Sequence, residues 1–244
     1  MTQPVQLPNI TRLAQSDTFT FRCHRGVKCF TDCCRMLELA LTPYDVLRLR
    51  MATGLTSGQL LDRYIIMEQD PCEPFPRFYL TMVDDGRASC VFVADQGCTV
   101  YPHRPAACRT YPLGRAVRRL ENSAMEEYFV LMREDHCQGF HEPITQNALQ
   151  YSTDQEVLTY NGFNDAVAGI LQHDSIRKGF IPSAKQIDLF VLALYNIDRF
   201  RDMLQNNQLD SPALGPTDNN GPMNDEELLL FAIDWLGRQL FAPF

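Results

Sequence analysis

The sequence predicts an α+β protein in which a small cysteine-rich antiparallel meander with helices is followed by a mostly helical C-terminal region. Helix-start signals and three- to four-residue apolar spacing mark helices after Thr42 and after Gly139. Two-residue alternation between turn signals marks strands between Phe78 and Met132, and all nine cysteines lie before residue 140. The chain is therefore divided into a cysteine-cluster metal-binding domain, 1–140, and a helical region, 141–244, packed on the first.

Residues 1–22 read as an arm whose alternating Phe19 and Phe21 form a short strand leading into the cysteines. Thr42, with Pro43 in the first turn and Asp45 three residues on, starts a helix that runs to about Ala52, and Gly54 supplies the left-handed residue that closes it. Thr56 or Ser57 caps a second short helix carrying Leu60, Leu61, Tyr64 and Ile65. Phe78 to Val83 then forms a hairpin with Ala88 to Val93 across Asp85-Gly86, and Gln96-Gly97 turns the chain into Cys98 to Tyr101. Arg115 to Leu120 and Glu126 to Met132 complete the meander. Phe190, Leu194, Ile197, Phe200 and Leu204 carry helical spacing, residues 206–224 read as a loop, and Asn224 with Glu227 opens a last helix bearing Leu228, Phe231, Trp235, Leu240 and Phe241.

The chain has 244 residues, of which 45% are hydrophobic and 21% charged, a composition that excludes a wholly disordered or collagen-like chain. Its net charge of −8 disfavours nucleic acid as a partner. No apolar run approaches the ~18 residues of a membrane span. Met1 to Thr20 lacks the apolar core of a secretory signal, so a cytoplasmic location is expected. Disulfides do not persist in that reducing compartment, and a cysteine cluster there points to metal binding or catalysis.

Cys23, Cys29, Cys33 and Cys34 fall within twelve residues; Cys90, Cys98 and Cys108 follow in the meander, and Cys137 follows those. Thiolates on tight loops can converge on a soft metal such as zinc or iron. Neighbouring side chains in an extended chain point to opposite sides, so Cys33 and Cys34 more naturally serve different metal atoms. That favours a polynuclear cluster or two sites over a zinc ribbon, whose two-residue spacings are missing here. These eight cysteines are the candidate metal ligands, and Cys72 reads as a buried, inert thiol. His24, His103 and His136 flank them and read as neighbours rather than ligands. Arg22, Arg25, Arg35, Arg104 and Arg109 either offset thiolate charge or are simply exposed, and Asp32 and Tyr101 are candidates for shaping a site.

The series Cys33-Cys34-Arg35, Leu41 to Leu49 (LTPYDVLRL), Cys90-Val91-Phe92, Gly97 to Tyr101, Arg104-Pro105 and Cys108 to Pro112 resembles the YkgJ-type cysteine-cluster family of zinc- or iron-chelating domains over roughly residues 21–140. The five residues before Cys29 and three before Cys33 are longer spacings than the family's, and Cys72 matches nothing in its motif. The resemblance implies a bound metal, with an iron–sulfur cluster the usual description and zinc the alternative. It leaves the reaction and any protein or redox partner unidentified. The cysteine region is also similar to that of flagellin lysine N-methylases, which implies protein lysine methylation as a further alternative, although no Gly-x-Gly element follows a strand. His141-Glu142 lacks the continuation of a zinc-protease helix, Asp84-Asp85 and Glu126-Glu127 read as turn or surface acids, and Tyr44 and Asp45 as parts of a helix start.

Overall fold

The computed structural model describes residues 9–14, 16–120, 125–209 and 223–241. Residues 1–8 of the expected arm and 210–222 of the expected loop lie outside them. The α+β class holds. In chain order the elements are β1 (Asn9–Leu13), β2 (Thr18–Thr20), α1 (Pro43–Thr53), α2 (Ser57–Tyr64), β3 (Ile65–Glu68), β4 (Arg77–Leu80), β5 (Met82–Val83), β6 (Ser89–Cys90), β7 (Val93–Ala94) and β8 (Gly97–Cys98). They continue through α3 (Ala106–Thr110), β9 (Leu113–Arg119), β10 (Met125–Arg133), β11 (Thr145–Asn147), α4 (Ala148–Asp154), α5 (Leu158–Leu171), α6 (Asp174–Arg177), α7 (Ala184–Tyr195), α8 (Ile197–Gln205) and α9 (Asp225–Phe241).

These elements form two compact units that alternate along the chain. A cysteine unit comprises the described residues of Met1–Leu37 and Met82–Thr159, and a helical unit those of Glu38–Thr81 and Tyr160–Phe244. In the cysteine unit β1, β10 and β9 make an antiparallel sheet in that order. β2 pairs with β11, and two short hairpins join β5 to β6 and β7 to β8. Phe19, Phe21, Leu113, Leu131, Cys137, Ala148 and Tyr151 form its apolar cluster, in which Tyr151 meets Phe19 edge-on at 5.6 Å.

The helical unit follows its sequence signals closely. Thr42 and Asp45 form a reciprocal capping box, Gly54 closes α1 at φ 68°, and Thr56 with Gln59 repeats the box on α2. Asn224 Oδ1 accepts from the N–H groups of Glu226 and Glu227, starting α9 as expected. Tyr44 stacks on Phe163 at 4.1 Å, Phe78 on Tyr195 at 3.6 Å, and the buried Trp235 meets Phe200 at 5.3 Å. Phe241 stacks on His173 at 3.9 Å.

Several expected elements are cut differently. Phe78 to Val83 is not one hairpin strand: β4 pairs back with β3, and Leu41 N–H and Phe78 O, with Leu80 N–H and Leu39 O, occupy its other edge. Only β5 is left to pair with β6. Ile65 belongs to β3 rather than to the helix before it, and the strand expected over Cys98 to Tyr101 is limited to Gly97–Cys98. The helical spacing from Phe190 to Leu204 is shared by α7 and α8, which break at Asn196. β1 pairs along β10 where an arm was expected, and β11 is a strand within the segment expected to be helical.

One ion network spans four helices of the helical unit. Arg50 of α1 donates Nε and Nη2 to the Asp198 carboxylate of α8 (2.7 and 2.6 Å), whose Oδ2 also accepts Ser57 N–H at the start of α2 (2.7 Å). Arg50 and Arg201 share Asp225 of α9 at 2.7 and 2.6 Å. Burial pushes the Asp198 carboxyl up, but the bonds from Arg50 and Ser57 outweigh it and hold the pKa below the usual value. The unfolded chain therefore binds the proton more readily, so this stabilisation is complete above the unfolded pKa of about 4 and is lost as pH falls through the lower folded value. Asp198→Asn is expected to cost about 1.5–3 kcal/mol at pH 7. The deficit relative to wild type should shrink as the pH of thermal melts is taken below ~4, and a deficit independent of pH would contradict the assignment.

Candidate metal centre

The nine cysteines are free thiols, and Cys23, Cys29, Cys33, Cys34, Cys90, Cys98, Cys108 and Cys137 all lie in the cysteine unit. Cys72 belongs to the helical unit and is exposed, which corrects its reading as a buried thiol. It sits in the loop between β3 and β4, its N–H bonded to Asp70 Oδ1 at 2.8 Å.

Consecutive turns coil the first cysteine segment. Val27, Phe30, Asp32 and Cys34 donate their N–H groups to the carbonyls of His24, Val27, Cys29 and Thr31, and the coil ends in a 3-10 turn, Asp32–Cys34. Thr31 stands at φ 71°, a left-handed conformation that β-branched residues avoid. Arg35 holds it there, Nη1 donating to both the carbonyl and the hydroxyl of Thr31. Strain of this kind, about 1–3 kcal/mol, persists only where the surroundings overdetermine it.

Three joins bring the other cysteines to this coil. The bridge between Arg35 and Ser89, with Met36 N–H on Ala88 O at 3.0 Å, lays Cys34 beside Cys90. Gly97, at φ 110°, leaves room for Phe30, whose ring carbon would stand 3.1 Å from a Cβ there, and the β7–β8 pairing that follows carries Cys98. At the third join Arg22 N–H bonds Gly139 O at 3.0 Å, and a Cβ on Gly139 would lie 2.6 Å from Phe21 Cε2 and 2.9 Å from Arg22 O. Only glycine permits this approach, which draws Cys137 to the coil, where Gln138 N–H donates to Cys29 Sγ at 3.1 Å.

The thiols sense one another in two neighbouring groups. Cys23 is exposed as a residue, yet protein crowding and the Cys33, Cys29 and Cys137 thiols push it up to about 11. Cys34 donates to Cys33, lowering Cys33 to about 7 and pushing Cys34 well up, and Cys34 also senses Cys33, Cys108 and Cys90. Burial raises Cys90, which feels Cys98 and Cys33, and burial raises Cys98 and Cys137. Among the described residues no three His, Cys, Asp or Glu side chains close on one point as an ion would require; Cys33 is in S–H contact with Cys34, and Cys29 with Cys137.

The donor chemistry nevertheless fits a thiophilic metal. All eight donors are sulfur, and backbone N–H groups reach Cys29 and Cys90, the latter from Phe92 at 3.5 Å. Two buried polar atoms without a hydrogen-bond partner, Arg35 Nε and Tyr111 Oη, belong to residues bordering the cysteines, as expected where anionic sulfur is to be accommodated.

The flanking candidates fall into structural roles. His24 accepts Gly26 N–H at Nδ1 (3.1 Å) and faces Glu142 Oε2 with Nε2 (3.1 Å), so both ring nitrogens are engaged. His136 lies 3.9 Å from Glu134, and His103 follows the 3-10 turn bond to Val100 O. Asp32 pairs loosely with Arg87 at 3.7 Å, and Tyr101 lies under the Arg104 guanidinium at 3.9 Å. Arg25 bonds Gln96. Asp85 holds Arg87 and Ser89 N–H in a turn, and Glu126 and Glu127 pair with Arg118 and Arg115, as the sequence suggests.

Arg104 and Arg109 are buried. Arg104 donates to Tyr101 O and Gln155 Oε1, both at 2.8 Å, and its charge opposes the upward shifts of Cys23 and Cys98. Arg109, 2% exposed, fans its donors to the carbonyls of Arg104, Pro102 and Gln155, clasping the Cys108 turn to the segment after α4. The alternative that Arg104 and Arg109 are simply exposed is thereby corrected, and the carbonyl clasp of Arg109 has no local signature in the sequence.

Residues 22–138 match the family model CxxCxxCC, described as "putative zinc- or iron-chelating domain". No curated protein and no solved structure matches the chain. No described helix is long and apolar enough to cross a membrane.

Arg109→Met is expected to destabilise the chain by about 3 kcal/mol, because the carbonyls of Arg104, Pro102 and Gln155 lose a charged donor that is itself buried. Arg109→Lys should recover little, since an ammonium cannot reproduce the planar fork. Denaturant unfolding of the two variants checks this, and a lysine variant as stable as wild type would show that charge alone suffices.

Proposed function

We propose, from the premise of a zinc- or iron-chelating domain over residues 22–138, that the cysteine unit holds an iron–sulfur cluster through Cys23, Cys29, Cys33, Cys34, Cys90, Cys98, Cys108 and Cys137. The observation that carries this reading is the place of Cys33 and Cys34. These adjacent residues mark a seam between two thiol groups: Cys33 acts on Cys23, which also senses Cys29 and Cys137, while Cys34 senses Cys108 and Cys90. A mononuclear zinc site needs four donors, whereas adjoining groups that share such a seam suit a polynuclear centre or a pair of centres.

The coil from His24 to Arg35 would present Cys29, Cys33 and Cys34, with Arg35 restraining Thr31 between them. Gln138 N–H donates to Cys29 Sγ and Phe92 N–H to Cys90 Sγ, so backbone donors already reach two of the sulfurs. Arg104 contributes positive charge beside Cys23 and Cys98. When bound, an iron–sulfur cluster supplies one-electron redox chemistry, and its use in electron transfer would call for a protein redox partner.

The test is the content of iron, acid-labile sulfide and zinc, with an absorption spectrum, on protein purified without oxygen. Iron with matching sulfide and a visible band bleached by dithionite is the expected result. Stoichiometric zinc without colour after anaerobic reconstitution would replace the reading with a structural zinc scaffold. Cys33→Ala is expected to lose metal and melt at lower temperature, since ligand binding free energy becomes folding free energy in such a unit; full metal content with unchanged melting would count against Cys33 as a ligand.

A further inference from the structure

β4 is bordered on both edges, by β3 on one side and by residues 39–41 on the other, but among the described residues no strand lies beyond β3. The pairing fixes which way β3 points its backbone. Leu80 N–H and Phe78 O turn toward Leu39 and Leu41, so Ile65 and Met67, which stand opposite Leu80 and Phe78, turn their peptide groups away from β4. Ile65 N–H closes α2 on Leu61 O, which leaves Ile65 O and both peptide groups of Met67 along the open edge. The side chains there are apolar and accessible, Ile66 being 46% and Met67 55% exposed. Natural sheets guard such edges with lysine, proline or a bulge, and β3 carries none of these.

Two exposed charges frame the edge. Arg63, in the last turn of α2, lies over the Tyr64 ring at 5.2 Å, and Glu68 ends β3. Among the described residues neither has an ion-pair partner. The order from Arg63 to Glu68, positive then apolar then negative, is its own complement when two strands run antiparallel.

We infer that β3 pairs antiparallel with β3 of a second copy of this chain, about a two-fold axis at Ile66. In that register Met67 N–H of each copy donates to Ile65 O of the other, Ile66 meets Ile66, and Met67 meets Ile65, so apolar side chains face apolar ones on both faces of the ribbon. Each Glu68 then comes opposite Tyr64 of the other copy, beside the Arg63 guanidinium that covers that ring. An unrelated extended peptide would satisfy the same backbone groups but has no reason to carry this charge order; a second copy carries it necessarily.

Sedimentation velocity of the full chain, in the presence of reductant and over a range of concentrations, tests this. A monomer–dimer equilibrium that dissociates on dilution is expected, because two short strands bury little area. Ile66→Lys, Glu68→Arg and Arg63→Glu should each raise the dissociation constant about tenfold. Combining Arg63→Glu with Glu68→Arg restores the complementary order and should return the constant to near its wild-type value. Far-UV circular dichroism of each variant, unchanged from wild type, establishes that the loss is one of association. A chain that stays monomeric at every concentration would overturn the inference. So would a dimer indifferent to Ile66→Lys, which must join by another surface, or single charge reversals that the double variant does not rescue.

Discussion

The cysteine unit depends on two stretches of chain, around Arg22 and around Gly139, running closer than any side chain at position 139 would allow. A Cβ there would stand 2.6 Å from the Phe21 ring. The approach is sealed by Arg22 N–H on Gly139 O and continued by Phe21 N–H on Ile144 O, both at 3.0 Å. It brings Cys137 against a coil more than a hundred residues earlier in sequence, so that Gln138 N–H reaches Cys29 Sγ. Phe21 serves both sides of this contact, packing in the apolar cluster while its backbone fixes the coil that begins at Cys23. The sulfur-bearing loops are thus anchored to the small core at one end, and elsewhere are held by turns, bridges and an arginine clasp.

Parts of this were legible in the sequence because they are local. Thr42 with Asp45, Thr56 with Gln59 and Asn224 with Glu227 satisfy their own helix ends within four residues, and a reader needs no tertiary information to see them. The crowding of Cys23 to Cys34 is equally visible. What sequence could not show is competition for edges. β4 carries strand-forming residues suited to either partner, and the choice of β3 follows from segment 39–41 occupying the opposite edge. The break at Asn196 is hidden for a related reason: Phe190, Leu194, Ile197 and Phe200 all remain buried on the same side, so the periodicity runs across two helices. Around the site, spacing named the cysteines but not Gly139, whose close approach to Phe21 and Arg22 exists only once distant segments meet.

Hydrogen-bond geometry explains why the cations buried beside the sulfurs are arginines. The chain has 22 basic residues, only three of them lysine, and carries a net charge of −8. Arg104 and Arg109 are buried among carbonyl oxygens, where a guanidinium can satisfy several acceptors from one plane and an ammonium cannot. Burial holds the Arg104 pKa below the ordinary arginine range, yet such a group remains protonated at neutral pH. A permanent positive charge is thereby kept beside Cys23 and Cys98 by a side chain whose hydrogen bonds also shape the loop.

The two units solve the same folding problem with different materials. The helical unit encloses Trp235, Phe78, Phe190 and Phe200 and ties three helices through Arg50, Asp198, Arg201 and Asp225, so its order follows from apolar burial and paired charge. The cysteine unit has one modest apolar cluster, paired strands as short as two residues and a threonine held at φ 71°. Two-stranded ribbons of that length are marginal on their own, and a left-handed threonine opposes folding. Eight thiols from four stretches of chain are what such a unit has in place of a larger core. A metal that gathered them would cross-link those stretches at the points where apolar packing is thinnest, which is the physical reason to seek the function of this chain in its sulfur chemistry.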